Sequence, residues 1–316
     1  MIRAIGKTFL WLVALLIGLI ALFWALTLLR ERDTRTPVTT TIVQTRLGKV
    51  ATTISGPGGA PRILLVHGSA AWSGFWRDVA AHLADQGWRV IAVDLPPFGY
   101  SEHDPRARYD RPSQAARLSD VLKATGDGPA VVLGHSFGAG AATELALRNP
   151  GQVRQLVLVD AALGTLDPAA PRAPGLLGSP LIAQPLTALT VTNPWAIGPL
   201  MRSFISRKQA AAAWLATLRQ PMRRTGSTAA YAAWLPYLLT TNDGALSWQS
   251  AELAKIRMPV AFIWGETDTV TPLSQGQALA KLMRPRSFKM LTATGHIPHI
   301  EAPAAFMAAL DASLIR

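Results

Sequence analysis

The sequence predicts an α/β fold with three parts: a mostly parallel sheet with helices on both faces, a helical cap inserted late, and one N-terminal transmembrane helix. Three observations predict it. Short, fully apolar runs alternate with helix-length segments over most of the chain, the signature of strands buried on both faces. The alternation breaks once, between Asp160 and Pro259, where no strand-like run occurs. Residues 8–29, TFLWLVALLIGLIALFWALTLL, carry no charge.

The uncharged stretch comes first in the chain. Crossing a bilayer takes roughly 20 apolar residues at a rise of about 1.5 Å each. A signal peptide has a shorter apolar core, about 7–15 residues, ending in a small-x-small cleavage site. Here the run ends in Leu28-Leu29-Arg30-Glu31-Arg32, which offers none. A buried helix of a soluble protein would show a polar face. The expectation is an uncleaved single-pass anchor that meets membrane lipid through residues 8–29, with Trp11 and Trp24 near the interfaces. Arg3 and Lys7 precede the span, and Arg30, Arg32 and Arg35 follow it. That count is nearly balanced, but a short basic tail favours the cytoplasm. The rest of the chain is therefore expected on the extracytoplasmic side.

After the charged linker, residues 38–55 are rich in β-branched side chains around Leu47-Gly48-Lys49 and read as a hairpin. Strand-like runs follow at residues 62–66, 88–93, 130–133, 153–159, 259–264 and 286–291. Helix-length segments lie at residues 75–86, 113–125, 137–149, 272–283 and 302–315. The interrupting stretch holds helix-compatible segments at 207–219 and 227–240, with Trp195, Trp214, Trp234 and Trp248. The expected organisation is an anchor and linker at 1–36, a core at 37–161 and 251–316, and a helical cap at 162–250.

Composition narrows the chemistry. The 316 residues include no cysteine, which excludes disulfides, thiolate metal sites and a cysteine nucleophile. Formal net charge is +12, and the first 35 residues supply five basic and two acidic side chains, leaving +9 elsewhere. Basic residues are scattered, so the excess reads as a solvated surface and no nucleic-acid partner is expected.

The sharpest local signal is Gly134-His135-Ser136-Phe137-Gly138 between a strand-like run and a helix-like segment. A serine on so tight a turn needs small residues two before and two after it. Its oxygen is lifted above the sheet edge, and the following helix points its positive end at the site. A chance strand-to-helix turn is the bland alternative. Serine needs a base, and the base needs an orienting carboxylate. Only His296 and His299 lie downstream of Ser136. His296 directly follows a strand-like run, at the carboxyl edge of the sheet where open α/β folds bind ligands. Asp268 has the matching position after the run at 259–264. Its competitors are Glu266 and Asp160, and its bland role is to cap the helix that Pro272 opens. The loop His67-Gly68-Ser69-Ala70 after the first parallel strand is placed to supply a backbone N–H to an oxyanion hole. That assigns Phe137 and Ser69 as donors, with Ala70 as second choice and His67 as a brace.

LLVHGSAAWSGFW, VIAVDLPPFGYS, VVLGHSFGAGAATELALRNPGQVRQLVLVDA, AFIWGETDTVTP and TGHIPHIEAP stand in this order from residue 62 onward. In them the chain resembles the single-cap serine branch of the α/β-hydrolase fold superfamily. The resemblance implies a catalytic triad of Ser136 as nucleophile, Asp268 as acid and His296 as base, with no metal or organic cofactor. Asp94 and Gly99 match a loop that relatives use for architecture. Ala139 departs from a position where glycine is common. Haloalkane dehalogenases and epoxide hydrolases of this fold place aspartate where this chain has Ser136. The expected function is hydrolysis of a carboxylic ester, or a similar acyl bond, of a small apolar substrate. Carbon–carbon bond hydrolysis is the alternative enzyme, and a binding protein on a disarmed scaffold is the non-enzymatic one. Oligomeric state is not legible.

Overall fold

The computed structural model describes residues 2–32, 34–163, 175–239 and 244–315. Its centre is an eight-stranded sheet of order β1-β2-β4-β3-β5-β6-β7-β8. The strands are β1 (Thr40–Thr45), β2 (Gly48–Ser55), β3 (Arg62–Val66), β4 (Arg89–Val93), β5 (Ala130–His135), β6 (Val153–Val159), β7 (Val260–Gly265) and β8 (Ser287–Leu291). β1 and β2 form the expected hairpin, and β2 runs antiparallel to β4. Every pairing from β4 to β8 is parallel. Every residue of β3, β5 and β7 is buried, as runs such as RILLV require when helices cover both faces. Parallel strands bring all their carboxyl ends to one edge, so Val66, His135, Val159, Gly265 and Leu291 open their loops on the same side.

Helices α1 (Ile2–Arg30), α2 (Arg77–Asp85), α3 (Arg111–Ala124) and α4 (Phe137–Arg148) precede the interruption. Between β6 and β7 the described residues hold helices and no strand: α5 (Pro180–Leu189), α6 (Ile197–Phe204), α7 (Ala210–Arg219), α8 (Ser227–Leu239) and the short α9 (Ser250–Leu253). Residues 164–174, and Thr240 at the end of the segment expected at 227–240, lie outside the described residues. The helical layer covers the carboxyl edge of the sheet. Trp72 Nε1 donates to Thr217 O at 2.7 Å, and Phe75 packs against Trp214 with ring centroids 5.4 Å apart.

The C-terminal segment departs from the expectation of one helix over 302–315. α10 (Leu273–Met283) lies where a helix is expected over 272–283, whereas the chain after β8 forms two helices, α11 (Pro298–Glu301) and α12 (Pro303–Asp311). Ala302, at φ −138°, separates the last two, because a residue before proline is pushed out of the helical region. Beyond Asp311 the chain leaves the helix to pair with a core side chain. Gln155 donates to Ser313 O at 2.7 Å and accepts from Ile315 N–H at 2.9 Å.

α1 is long and apolar enough to cross a membrane over Lys7–Arg30. Its C-terminal end is tied to the cap layer. The Glu31 carboxylate accepts the N–H groups of Gly226 and Thr228 at 2.8 and 2.6 Å, which satisfies donors at the start of α8 and complements the helix dipole.

Candidate active site

Ser136 follows β5 and begins the turn into α4 with φ +50° and ψ −124°, a conformation costly for any residue with a Cβ. Surrounding contacts hold it there. Its N–H donates to Val159 O at 3.0 Å, and its carbonyl accepts from Ala139 and Ala162 N–H at 3.0 and 3.1 Å. The flanking glycines are required by contact. A Cβ on Gly134 would lie 2.6 Å from Ala139 Cα, and one on Gly138 would lie 2.2 Å from His67 O.

His296 reaches the serine from the loop after β8. Its Nε2 is 2.8 Å from Ser136 Oγ, and its Nδ1 is 2.8 Å from Asp268 Oδ2. A carboxylate can only accept, so Nδ1 carries the proton and Nε2 presents its lone pair to the serine hydroxyl. The loop is pinned from two sides. His296 N–H donates to Phe204 O at 2.8 Å. Glu301 accepts from Gly295 N–H with one oxygen, and from Ser206 and Arg207 N–H with the other at 2.8 and 3.0 Å. One buried carboxylate thus ties the histidine loop to the chain leading into α7.

Asp268 accepts Val270 and Thr271 N–H on Oδ1, at 2.7 and 3.0 Å, and the Thr271 hydroxyl on Oδ2 at 2.7 Å. It caps the turn before α10 with one oxygen and faces the imidazole with the other, so both roles weighed from sequence coexist. Burial pushes its pKa up, but the hydrogen bond and charge of His296 and the Thr271 hydroxyl outweigh that and hold it below the usual value. Of the competitors, Glu266 points away and accepts Ala293 N–H at 2.8 Å. Asp160 is fully buried and accepts Gly265 N–H at 2.8 Å. Burial first, and then the neighbouring Asp268 charge, drive its pKa well above the usual carboxylate value. Asp160, Asp268 and His296 place ligand-type atoms within 4.8 Å of one another. Of the three, His296 and Asp268 are hydrogen-bonded to each other, whereas Asp160 Oδ2 is buried without a partner among the described residues.

The loop after β3 passes close beneath the serine, since a Cβ on Gly68 would lie 2.9 Å from Ser136 Cβ. Leu95 N–H donates to His67 Nε2 at 2.9 Å, so His67 Nδ1 holds the proton and donates to Gly68 O at 2.7 Å. Burial lowers the His67 pKa to about 4, consistent with a neutral ring bracing the loop. Ser69 lines the same cavity as Ser136. Phe137 opens α4, where a backbone N–H has no partner within the helix. His135 donates from Nε2 to His296 O at 2.7 Å, and His299 stacks on Trp76 at 4.2 Å between ring centroids. Burial first, and then neighbouring imidazoles, lower the pKa of both, to about 3 for His135.

A cavity of about 210 Å³ opens over these groups. Its roof is apolar: Leu200, Met201 and Phe204 from α6, Leu218 from α7, and Trp234 and Leu238 from α8. The cap tryptophans divide their work. Trp234 lines the cavity and meets Phe137 edge-on at 5.4 Å, Trp214 is core, and Trp248 lies 3.6 Å under the Arg111 guanidinium. Trp195 is 71% exposed.

Residues 61–303 match the family model described as the alpha/beta hydrolase fold. The chain belongs to the α/β-hydrolase family. This hydrolase is 30% identical over 294 residues to LipZ of Mycobacterium tuberculosis, named as a hydrolase, covering 86% of this chain and 94% of that one. It is 30% identical over 264 residues to 2-hydroxymuconate semialdehyde hydrolase of Pseudomonas sp. strain CF600, covering 81% and 88%. The crystal structure of a thermophilic esterase from Thermogutta terrifontis shares the fold at TM-score 0.69 and 22% identity, covering 86% and 97%. Within this hydrolase, sequence reasoning missed Thr271 and Glu301. Thr271 lies beside Pro272 and offers no motif of its own. Glu301 is visible as the acidic residue of HIEAP, but two of its three backbone partners, Ser206 and Arg207, come from a segment more than 90 residues away.

Proposed function

We propose that the chain is a membrane-anchored serine hydrolase that cleaves the carboxylic ester, or a similar acyl bond, of a small apolar substrate. The observation that carries this is the row Ser136 Oγ, His296 Nε2 and Nδ1, Asp268 Oδ2, with both links at 2.8 Å, beneath an apolar cavity. His296 takes the hydroxyl proton as Ser136 Oγ bonds to the carbonyl carbon. The N–H groups of Phe137 and Ser69 receive the oxyanion, a contribution of about 3 kcal/mol per donor. His296 then protonates the departing alcohol, leaving an acyl-serine. A water that gives its proton to His296 attacks that acyl group, and the acid leaves as Ser136 regains its proton. Asp268 keeps the imidazole oriented and stabilises its cationic form. Residues 1–36 serve as anchor and linker, 162–250 as the cap, and 37–161 with 251–316 as the core. The hydrolase lies on the extracytoplasmic side.

The test is turnover of short p-nitrophenyl esters by the full chain in detergent. Ser136→Ala should abolish it with unchanged circular dichroism; undiminished turnover by a folded variant refutes the assignment. Carbon–carbon bond hydrolysis is the second reading, favoured by the 30% identity to 2-hydroxymuconate semialdehyde hydrolase. Product analysis on ring-cleavage acids beside simple esters separates the two. A scaffold without activity would also fail to label with a fluorophosphonate.

A further inference from the structure

A second cavity, of about 820 Å³, lies where the C-terminal end of α1 meets the cap. Four guanidinium groups line it: Arg30 and Arg35 from the anchor, and Arg219 and Arg223 from the cap. Among the described residues the acidic side chain in its wall is Glu31, whose two oxygens accept the N–H groups of Gly226 and Thr228. Arg30 is spent on Thr192 O and Thr27 Oγ1, and Arg219 donates to Pro194 O. The Arg219 Nε is buried without a partner, and no hydrogen bond or ion pair engages the side chains of Arg35 and Arg223 among the described residues. Four like charges around one cavity repel one another, and an anion between them would reverse the sign of that energy.

Position identifies the source of the anion. The 24 residues Lys7–Arg30 extend about 36 Å as a helix, against about 30 Å of hydrocarbon, so the last turn of α1 reaches headgroup level. The cavity begins at Thr27, in that turn. Beside it, α5 packs along α1 and still leaves Leu181 87% exposed and Ile182 42% exposed. Those exposed apolar side chains, on a helix in contact with α1, offer a track for acyl chains.

We propose that this cavity holds the phosphate headgroup of an anionic phospholipid from the leaflet that the end of α1 reaches, with the acyl chains against α1 and α5. It rests on the membrane-anchor part of the proposed function. Ile197 lines both this cavity and the one over Ser136, so the lipid site and the substrate site share a wall.

The experiment uses the full chain in neutral detergent, titrated with phosphatidylglycerol, phosphatidylcholine or inorganic phosphate, and reads thermal unfolding. Phosphatidylglycerol should raise Tm by roughly 4 °C at saturation while the other two leave it unchanged. Arg35→Gln with Arg223→Gln should remove the shift. The exposed pair Arg154→Gln with Arg257→Gln, an equal change in net charge, should keep it. Should the first pair lower the lipid-free Tm, Arg35→Gln alone, on the exposed linker, carries the same test. Equal protection by inorganic phosphate overturns the lipid source, and an undiminished shift in the Arg35/Arg223 variant overturns the site. Flotation with purely zwitterionic vesicles separates the anchor. Failure to float overturns the anchor and the lipid together, whereas flotation without a phosphatidylglycerol-specific shift overturns the cavity alone.

Discussion

Replacing Asp268 by asparagine perturbs one proton and almost no volume. Oδ1 accepts two backbone N–H groups at 2.7 and 3.0 Å, so the amide oxygen must take that side. The NH2 group then occupies the Oδ2 position, 2.8 Å from His296 Nδ1 and 2.7 Å from the Thr271 hydroxyl. A donor there drives the imidazole proton from Nδ1 to Nε2, and Nε2–H cannot accept the proton of Ser136. In a serine protease the same change costs about 10⁴ in kcat, or about 5 kcal/mol at roughly 1.4 kcal/mol per decade. A similar loss is expected for ester turnover by Asp268→Asn, with the protein still folded. Asp160→Asn keeps an oxygen for Gly265 N–H and replaces a carboxyl whose burial already favours its neutral form, so its turnover should fall less than about threefold. The assay is initial-rate hydrolysis of a p-nitrophenyl ester by full-length variants in detergent. A loss below tenfold in Asp268→Asn, or above a hundredfold in Asp160→Asn, refutes the assignment of the acid.

Asp160 also sets a pH dependence. Its folded pKa is raised, so its stabilising contribution is complete below the unfolded value near 4 and declines as pH rises toward the folded pKa. Asp160→Asn removes that decline, so its Tm relative to wild type should be higher at pH 7 than at pH 4; equal differences would disprove the raised pKa of Asp160. Gly138→Ala should cost about 3 kcal/mol in urea unfolding, because the overlap with His67 O exceeds any gain in helix propensity. Gly151→Ala, with nothing within 4 Å of its Cβ, is the matched control and should change little. Glu301→Gln leaves one oxygen for three backbone donors and should lose about 2 kcal/mol of stability. Ester kcat should fall with it as the His296 loop loosens, and stability within about 0.5 kcal/mol of wild type, the scale of a neutral surface change, would show that the carboxylate braces nothing.

The sequence by itself determined the elements and their order. Apolar runs of strand length can bury both faces only in a parallel sheet, and a parallel sheet delivers its loops to one edge. That is why Ser136, Asp268 and His296 could be singled out from the sequence: each lies in the loop that follows a strand. The glycines at 134 and 138 carry the elbow in plain sight, since the backbone there leaves no room for a Cβ. What only the tertiary structure decided are partnerships between segments that share no local pattern. Glu31 seats the end of α1 on α8, Glu301 joins the His296 loop to the cap, and Thr271 completes the shell of Asp268. The raised pKa of Asp160 likewise depends on burial and on a charge 108 positions away along the chain, at Asp268. Periodicity reports which face of an element is covered; it carries no information about which distant side chain covers it. The end of the chain makes the same point, because helix propensity alone would have continued past Asp311, and Gln155 on β6 draws those residues away.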